Sequence, residues 1–303
     1  MSKDQKKGWP AFSQENFKKI SHLLHMCTQI VGKLMLLQPF EPHWANLAMP
    51  LTSRGVTTGM IPFREGTFSV DLDFIAHKII FTSTWGKMQS VKLKSMSVAK
   101  LYRKIMKALH RIGVDVKINQ TPQEVSDPIP FAEDVAHRKY KKRIINTWWR
   151  IMVSTDRVLM KYHAKFFGIT PKIGLFWGTL DLRDARYKGV HLNTDEPTFN
   201  FISRNSMDDE QFEVGFSASN EKYLVPSFFA FAYPKPENYE FEKIQPSYVK
   251  WVSDISEFVL DYEDLRQSSD PDNDLSLFFE SSFQAFALQR NWDPELSVSG
   301  EAE

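Results

Sequence analysis

Alternating apolar and polar positions mark residues 172–186 as the central β-strand of the chain. A period of two divides the strand into an apolar face and a face of polar and aromatic side chains. The apolar face holds Phe176, Leu180 and Leu182, and the other face holds Trp177, Thr179, Asp181 and Arg183. A strand with these two faces predicts the floor of a pocket.

Apolar residues at three- and four-residue spacings predict five amphipathic helices. Their predicted bounds are 13–37, 98–112, 141–167, 247–266 and 271–290. Serine or aspartate stands at three of the starts and suits an N-cap: Ser13, Ser97 and Asp270. On the first helix His22 and His25 lie opposite the apolar stripe, close enough to share a metal, although two ligands alone make a poor site.

Short strands and turns fill most of the remaining chain. Their predicted bounds are 47–53, 56–61, 67–74, 78–82, 88–93, 115–118, 212–217 and 227–233, and a proline-rich connector covers 121–131. The pattern predicts an α+β fold, with mainly antiparallel sheets packed against the helices. It further predicts one domain over residues 11–292, a flexible N-terminus over 1–10 and a disordered acidic tail over 293–303.

Composition narrows the function classes. A chain of 303 residues with 42% hydrophobic content can bury a sizeable core, and its net charge of +1 provides no global attraction for nucleic acid. The lone Cys27 excludes an internal disulfide. Neither a signal peptide nor a long apolar run is present, so we expect a cytoplasmic protein that binds no membrane. The basic run 138–143 is interpreted as a solvated helix start.

The common cofactor and catalytic motifs are missing. The chain lacks G-x-G-x-x-G, the P-loop, H-E-x-x-H, C-x-x-C and G-x-S-x-G. Their absence argues against the common nucleotide-binding, zinc-protease and esterase classes. The sequence indicates no particular cofactor.

Two small groups of polar residues are candidates for catalysis or ligand binding. On a helix, Asp134 and His137 would share one face, where a carboxylate can fix the tautomer of an imidazole that acts as a general base or a metal ligand. The alternative is a capping aspartate beside an unrelated histidine. Arg54 and Thr58 could bind a carboxylate or phosphate, or could equally form a strand end with a salt bridge.

The chain also resembles a family of uncharacterised bacterial proteins, a domain family of unknown function. The resemblance lies in stretches spread over nearly the whole chain in order: 25–33, 43–44, 54–58, 71–74, 127–131, Asp134, His137, Tyr140, 156–157, 176–182, Arg186 and 233–236. It implies no activity. Where the family has Ser-His-Glu, this chain has Asp208-Asp-Glu210, which predicts an altered site if that histidine is functional.

These observations lead to three hypotheses. The first is a small-molecule pocket, either catalytic or only binding, on the polar face of the Trp177 strand. Its proposed catalytic residues are Asp134, His137 and Asp181, and its proposed ligand-binding residues are His43, Arg54, Thr58, Trp177 and Arg186. Strict alternation places Arg186 opposite Asp181, so it joins the pocket only if the strand breaks first. The second is a non-catalytic module with structural salt bridges. The third is a metal-dependent hydrolase using His43, Asp134 and His137.

Overall fold

The computed structural model describes residues 8–195, 197, 199–218, 223–236 and 243–297. Within them the fold is α+β, as predicted. The helices are α1 (Gln14–Met35), α2 (Val98–Arg111), α3 (Lys142–His163), α4 (Phe201–Ser206), α5 (Tyr262–Gln267) and α6 (Pro271–Gln289). Short 3₁₀ helices cover Pro42–Leu47 and Pro294–Leu296.

The strands form two sheets in which the adjacent strands are antiparallel. The smaller sheet consists of β2 (Gly55–Thr57), β3 (Ile61–Phe63), β4 (Gly66–Asp73), β5 (Lys78–Ser83) and β6 (Met88–Lys92), with β3 paired to β4. The larger sheet runs β1-β7-β8-β9-β10-β12-β11. Its strands are β1 (Ala48–Pro50), β7 (Gly174–Phe176), β8 (Asp181–His191), β9 (Asp209–Ser217), β10 (Ser227–Tyr233), β11 (Lys250–Val252) and β12 (Glu257–Asp261).

The predicted capping residues account for three helix starts. Ser13 accepts a hydrogen bond from the backbone N–H of Asn16, and Ser97 caps α2 in the same way. Asp270 caps α6. Each cap satisfies a backbone donor that the first helical turn leaves unpaired. The predicted apolar stripe of α1 is buried, and Cys27 within it is fully inaccessible.

The larger sheet has one face packed against helices and one face that bears polar groups. Phe212 stacks on Phe286 of α6 at 5.3 Å between ring centroids, and Phe228 meets Phe279 of the same helix edge-on. Side chains alternate along each strand, so the residues between these aromatics point away from α6. Glu213, Ser217 and Phe229 therefore lie on the opposite face.

Three predicted elements are wrong. Residues 115–118 form no strand, and most of the predicted helix 247–266 is instead β11, β12 and the short α5. Residues 172–186 are a hairpin rather than one strand: β7 and β8 are joined by a turn over residues 177–180. Leu180 takes a positive φ of 70° there, which allows the chain to reverse.

The turn buries Trp177 against α1. Its indole lies over Gly32, where any Cβ would overlap the ring. Trp177 is 2% exposed. The close approach explains a glycine in the middle of a helix, which costs about 1 kcal/mol relative to alanine in propensity alone.

The predicted division into a domain and two loose termini is untested and stays a prediction. Residues 1–7 and 298–303 lie outside the described residues. At the described N-terminal end, Trp9 is buried and its indole N–H donates to Asp272. None of the described helices is both long and apolar enough to cross a membrane.

We expect Gly32→Ala to lower the free energy of unfolding by about 1–3 kcal/mol, because the added methyl group overpacks the Trp177 ring. Trp177→Leu in the same background should recover part of the loss. A double-mutant cycle in urea denaturation measures the coupling. Strictly additive effects of the two substitutions would contradict the packing.

Candidate functional site

A cavity of about 200 Å³ opens on the polar face of the larger sheet. Its walls come from β7, β8, β9, β10 and β12, from α4, from the turn over residues 177–180 and from the connector over residues 121–131. The residues that carry its chemistry are Glu124, Thr179, Asp181, Arg183, Glu213 and Ser217. Phe176, Phe229 and Phe231 supply aromatic surface.

Strand register explains why these side chains converge. In the hairpin Asp181 faces Phe176, so both project from the same side of the sheet. On β8 Arg183 follows Asp181 by two positions and shares its face. Between β8 and β9, Ala185 faces Glu213, which brings Glu213 to that side as well.

Arg183 and Glu213 form an ion pair inside the cavity. Nη1 of Arg183 lies 3.1 Å from each carboxylate oxygen of Glu213. The guanidinium also stacks on Phe176, 4.6 Å from the ring centroid. Glu213 is only 2% exposed, so the arginine compensates a carboxylate that would be costly to bury alone.

Asp181 has no comparable counter-charge. Burial raises its pKa to about 6, and Arg183 and the nearby hydroxyls of Thr179 and Ser217 only partly oppose that rise. Ser217 Oγ is buried and has no hydrogen-bond partner within normal geometric limits among the described residues. A carboxyl with a pKa near 6 can give up or accept a proton close to neutral pH.

Glu124 reaches the cavity from the connector. Its Oε2 would lie 2.7 Å from a Cβ on Gly178, so the glycine leaves room for the carboxylate. Burial raises the pKa of Glu124, and the neighbouring charge of Asp181 raises it further. Two carboxyl groups therefore titrate above their ordinary range in one cavity.

The polar face of α1 holds this wall in place. Gln29 Nε2 donates to the carbonyl oxygens of Gln123, at 2.7 Å, and Gly178, at 3.0 Å, while its Oε1 accepts from the N–H of Gln123. His25 Nε2 donates to Gly178 O at 2.6 Å. One helix thus fixes both the connector and the hairpin turn.

Lys33 adds a charged contact to the same face of α1. It is 2% exposed and donates to the carbonyl of Thr121 at 2.7 Å. Burial lowers its pKa to about 8. The predicted alternative of a shared metal for His22 and His25 is not supported, because His22 binds Asp134 and His25 binds Gly178.

A second cavity of about 780 Å³ adjoins the first and shares Glu124 and Thr179 with it. His25 and Leu180 also line it. Burial lowers the pKa of His25, which favours a neutral ring. Because Nε2 donates to a carbonyl, the proton of the neutral ring is on Nε2.

The predicted Asp134–His137 pair is not formed. Residues 134–137 lie before α3 and are not helical, so the two side chains do not share a helix face. Asp134 is buried and binds His22 at 2.9 Å and Arg138 at 3.1 Å, whereas His137 is exposed. Burial alone would raise the pKa of Asp134, but the hydrogen bonds from His22 and Arg138 hold it below its ordinary value.

Arg54 and Thr58 flank β2 of the smaller sheet and do not line the cavity. Arg54 donates to Asp73 at 2.8 Å, which matches the salt bridge that the sequence left as an alternative. Thr58 Oγ1 accepts from the N–H of Val70 and donates to Gly59 O. The structure shows both side chains in local backbone and ion-pair contacts.

The remaining predicted ligand-binding residues also lie outside the cavity wall. Trp177 is buried against α1, because the turn rotates it away from Asp181. Arg186 is 1% exposed on the opposite face of β8, where its guanidinium lies 3.5 Å from the ring centroid of Tyr162. His43 stacks on Tyr187 at 4.0 Å, with Nδ1 3.5 Å from Asp208 Oδ1.

Of the eight predicted site residues, only Asp181 lines the cavity. Sequence reasoning placed Arg183 on the same face but assigned it no role. It also missed Glu213, although a charged residue between Phe212 and Val214 in a strand was a usable signal. Nothing in the sequence marks Glu124. No group of three or more metal-ligating side chains is placed to hold an ion among the described residues.

We expect Asp181→Asn to change the pH dependence of stability. Between its ordinary pKa near 4 and its folded pKa of about 6, the native wild type binds more protons than the unfolded chain, so its stability falls as pH rises. Asparagine does not titrate. Relative to wild type, the variant should gain roughly 1–3 kcal/mol between pH 4 and pH 7.5.

Urea denaturation at both pH values measures this gain, with the exposed Asp127→Asn as the control. A difference between D181N and wild type that does not vary with pH would contradict the raised pKa.

We expect Gln29→Met to lower the free energy of unfolding by about 1–3 kcal/mol, because the partly buried backbone groups of Gln123 and the buried carbonyl of Gly178 lose their partner. Hydrogen exchange should rise first in the connector and the hairpin turn. Asn16→Met, an exposed change on the same helix, is the matched control. Unchanged exchange in both segments would show that Gln29 does not hold them.

Similarity to known proteins is found at the level of a family. The comparisons with characterised proteins and with solved structures yield no match. The model of the family of unknown function DUF5996 matches residues 9–298, nearly the whole chain. The protein is therefore a member of the DUF5996 family, as the sequence resemblance indicated.

Proposed function

We propose that this protein binds a small polar organic molecule in the cavity beside Asp181. The observation that carries the proposal is the convergence of polar groups and three phenylalanine rings in one hollow of about 200 Å³. Ligand sites combine apolar walls with a few placed polar groups in this way. The adjoining cavity of about 780 Å³ provides room for a ligand that extends past Glu124.

Asp181 is the group suited to exchange a proton with the ligand. Its pKa of about 6 lies close to neutral pH, and its carboxyl forms no ion pair with any residue that the structure describes. Proton transfer at this position would make the protein an enzyme that uses a carboxyl group as a general acid or base. This assignment replaces the Asp134–His137 pair, because Asp134 binds His22 and His137 is exposed.

A non-catalytic structural module is the second candidate. The Arg183–Glu213 pair favours it, because a buried ion pair can simply fix the position of a strand. The two candidates differ in what they predict for Asp181, which forms no ion pair within the described part of the chain, and for Ser217, whose Oγ has no hydrogen-bond partner there. A structural role predicts no ligand-dependent effect at either residue.

A thermal-shift screen over metabolites tests the proposal on wild type, Asp181→Asn and Ser217→Met, the last of which fills the cavity. A ligand in excess over its Kd should raise Tm by several degrees in wild type and by less in both variants. His137→Ala and Arg54→Gln change residues that line neither cavity, so these variants should keep the full shift. Shifts that survive in both cavity variants would overturn the proposal.

A further inference from the structure

We infer that the cavity receives the cationic end of its ligand, an ammonium or guanidinium group on a small organic molecule. The inference rests on the proposed function and names its ligand class. Its starting point is the charge of the lining residues: carboxylates come from the connector, β8, β9 and β12, and the described lining contains one basic side chain, Arg183.

That basic side chain already forms an ion pair. Arg183 Nη1 contacts both oxygens of Glu213, and the face of its guanidinium lies on Phe176. A carboxylate or phosphate ligand would have to displace Glu213, a buried side chain, from its counter-ion. Displacement would leave an uncompensated buried charge, which is strongly unfavourable.

A cationic ligand, in contrast, would find carboxyl groups that have no counter-ion among the described residues. Asp181 and Glu124 face the cavity without an ion-pair partner among the described residues, and the charge of Asp181 opposes ionisation of Glu124. An ammonium group between them would remove that repulsion. Ser217 is 4% exposed, and its Oγ has no hydrogen-bond partner in the described part of the chain, so it offers an additional acceptor for an N–H group.

The aromatic wall suits the same ligand. Phe229 and Phe231 lie 6.2 Å apart between ring centroids, with an angle of 30° between the ring planes. The face of an aromatic ring attracts a cation within about 6 Å. The cavity contains one example already, because the guanidinium of Arg183 rests on Phe176 at 4.6 Å.

Ligand binding should therefore depend on pH. The charged groups that face Asp181 are Glu124 from the connector, Arg183 from its own strand, and Glu213 and Glu257 from β9 and β12. Asp181 ionises as pH rises through about 6, and the site then gains negative charge. A cationic ligand should bind at least several-fold more tightly at pH 7.5 than at pH 5.

Matched probes test the charge directly. Calorimetry and thermal shift compare 2-phenylethylammonium, butylammonium and agmatine with 3-phenylpropionate, butyrate and the corresponding neutral alcohols. We expect the cations to bind and the carboxylates not to bind. Asp181→Asn and Glu124→Gln should each weaken cation binding at least tenfold, and the exposed Glu133→Gln should leave it unchanged.

The outcomes separate this inference from the proposed function. If carboxylates or alcohols instead bind in preference to the amines, and Ser217→Met removes that binding, this result would overturn the ligand class but keep the cavity as a binding site. Cation binding that is equally tight in wild type, Asp181→Asn and Glu124→Gln would also overturn the ligand class. If neither these probes nor the metabolite screen gives a shift that Ser217→Met removes, both proposals fail.

Discussion

The hydrogen bonds of Gln29 are the constraint on which the candidate site depends. A single buried amide binds the connector through Gln123 and the hairpin turn through Gly178. Neither segment belongs to a helix or strand, so neither has a regular hydrogen-bond ladder to fix it. Buried backbone groups need partners, and here a helix side chain supplies them. The position of this wall of the cavity therefore depends on the position of α1.

The packing of α1 explains how a helix side chain can reach both segments. Gly32 allows the Trp177 indole to lie directly on the helix, so the hairpin turn comes close enough for Gln29 and His25 to bind it. The same turn sends Phe176 to the side of Asp181. Packing on one face of the hairpin thus determines which side chains enter the cavity on the other.

Much of the fold is predictable from local patterns. The caps of α1, α2 and α6 follow from Ser13, Ser97 and Asp270, and β10 agrees with its predicted bounds. The hairpin was missed because apolar and polar residues keep alternating through the turn, where Leu180 adopts a left-handed conformation that its identity does not signal. Local periodicity carries no information about a reversal of this kind.

The site was less predictable than the fold because it depends on contacts between distant segments. Glu124 reaches the cavity only through the connector, whose position depends on α1. His22, rather than His137, binds Asp134, although the two are 112 positions apart in the chain. Chemistry-bearing residue types were visible in the sequence, but their partners were not.

Cys27, on the apolar stripe of α1, is a natural chemical probe for the opening of that helix. The thiol is fully buried, and burial raises its pKa to about 12, so the native protein presents almost no thiolate to an electrophile. It is the only cysteine in the chain. Alkylation of the thiol will consequently follow the opening of the helix that supports the cavity, without an introduced probe.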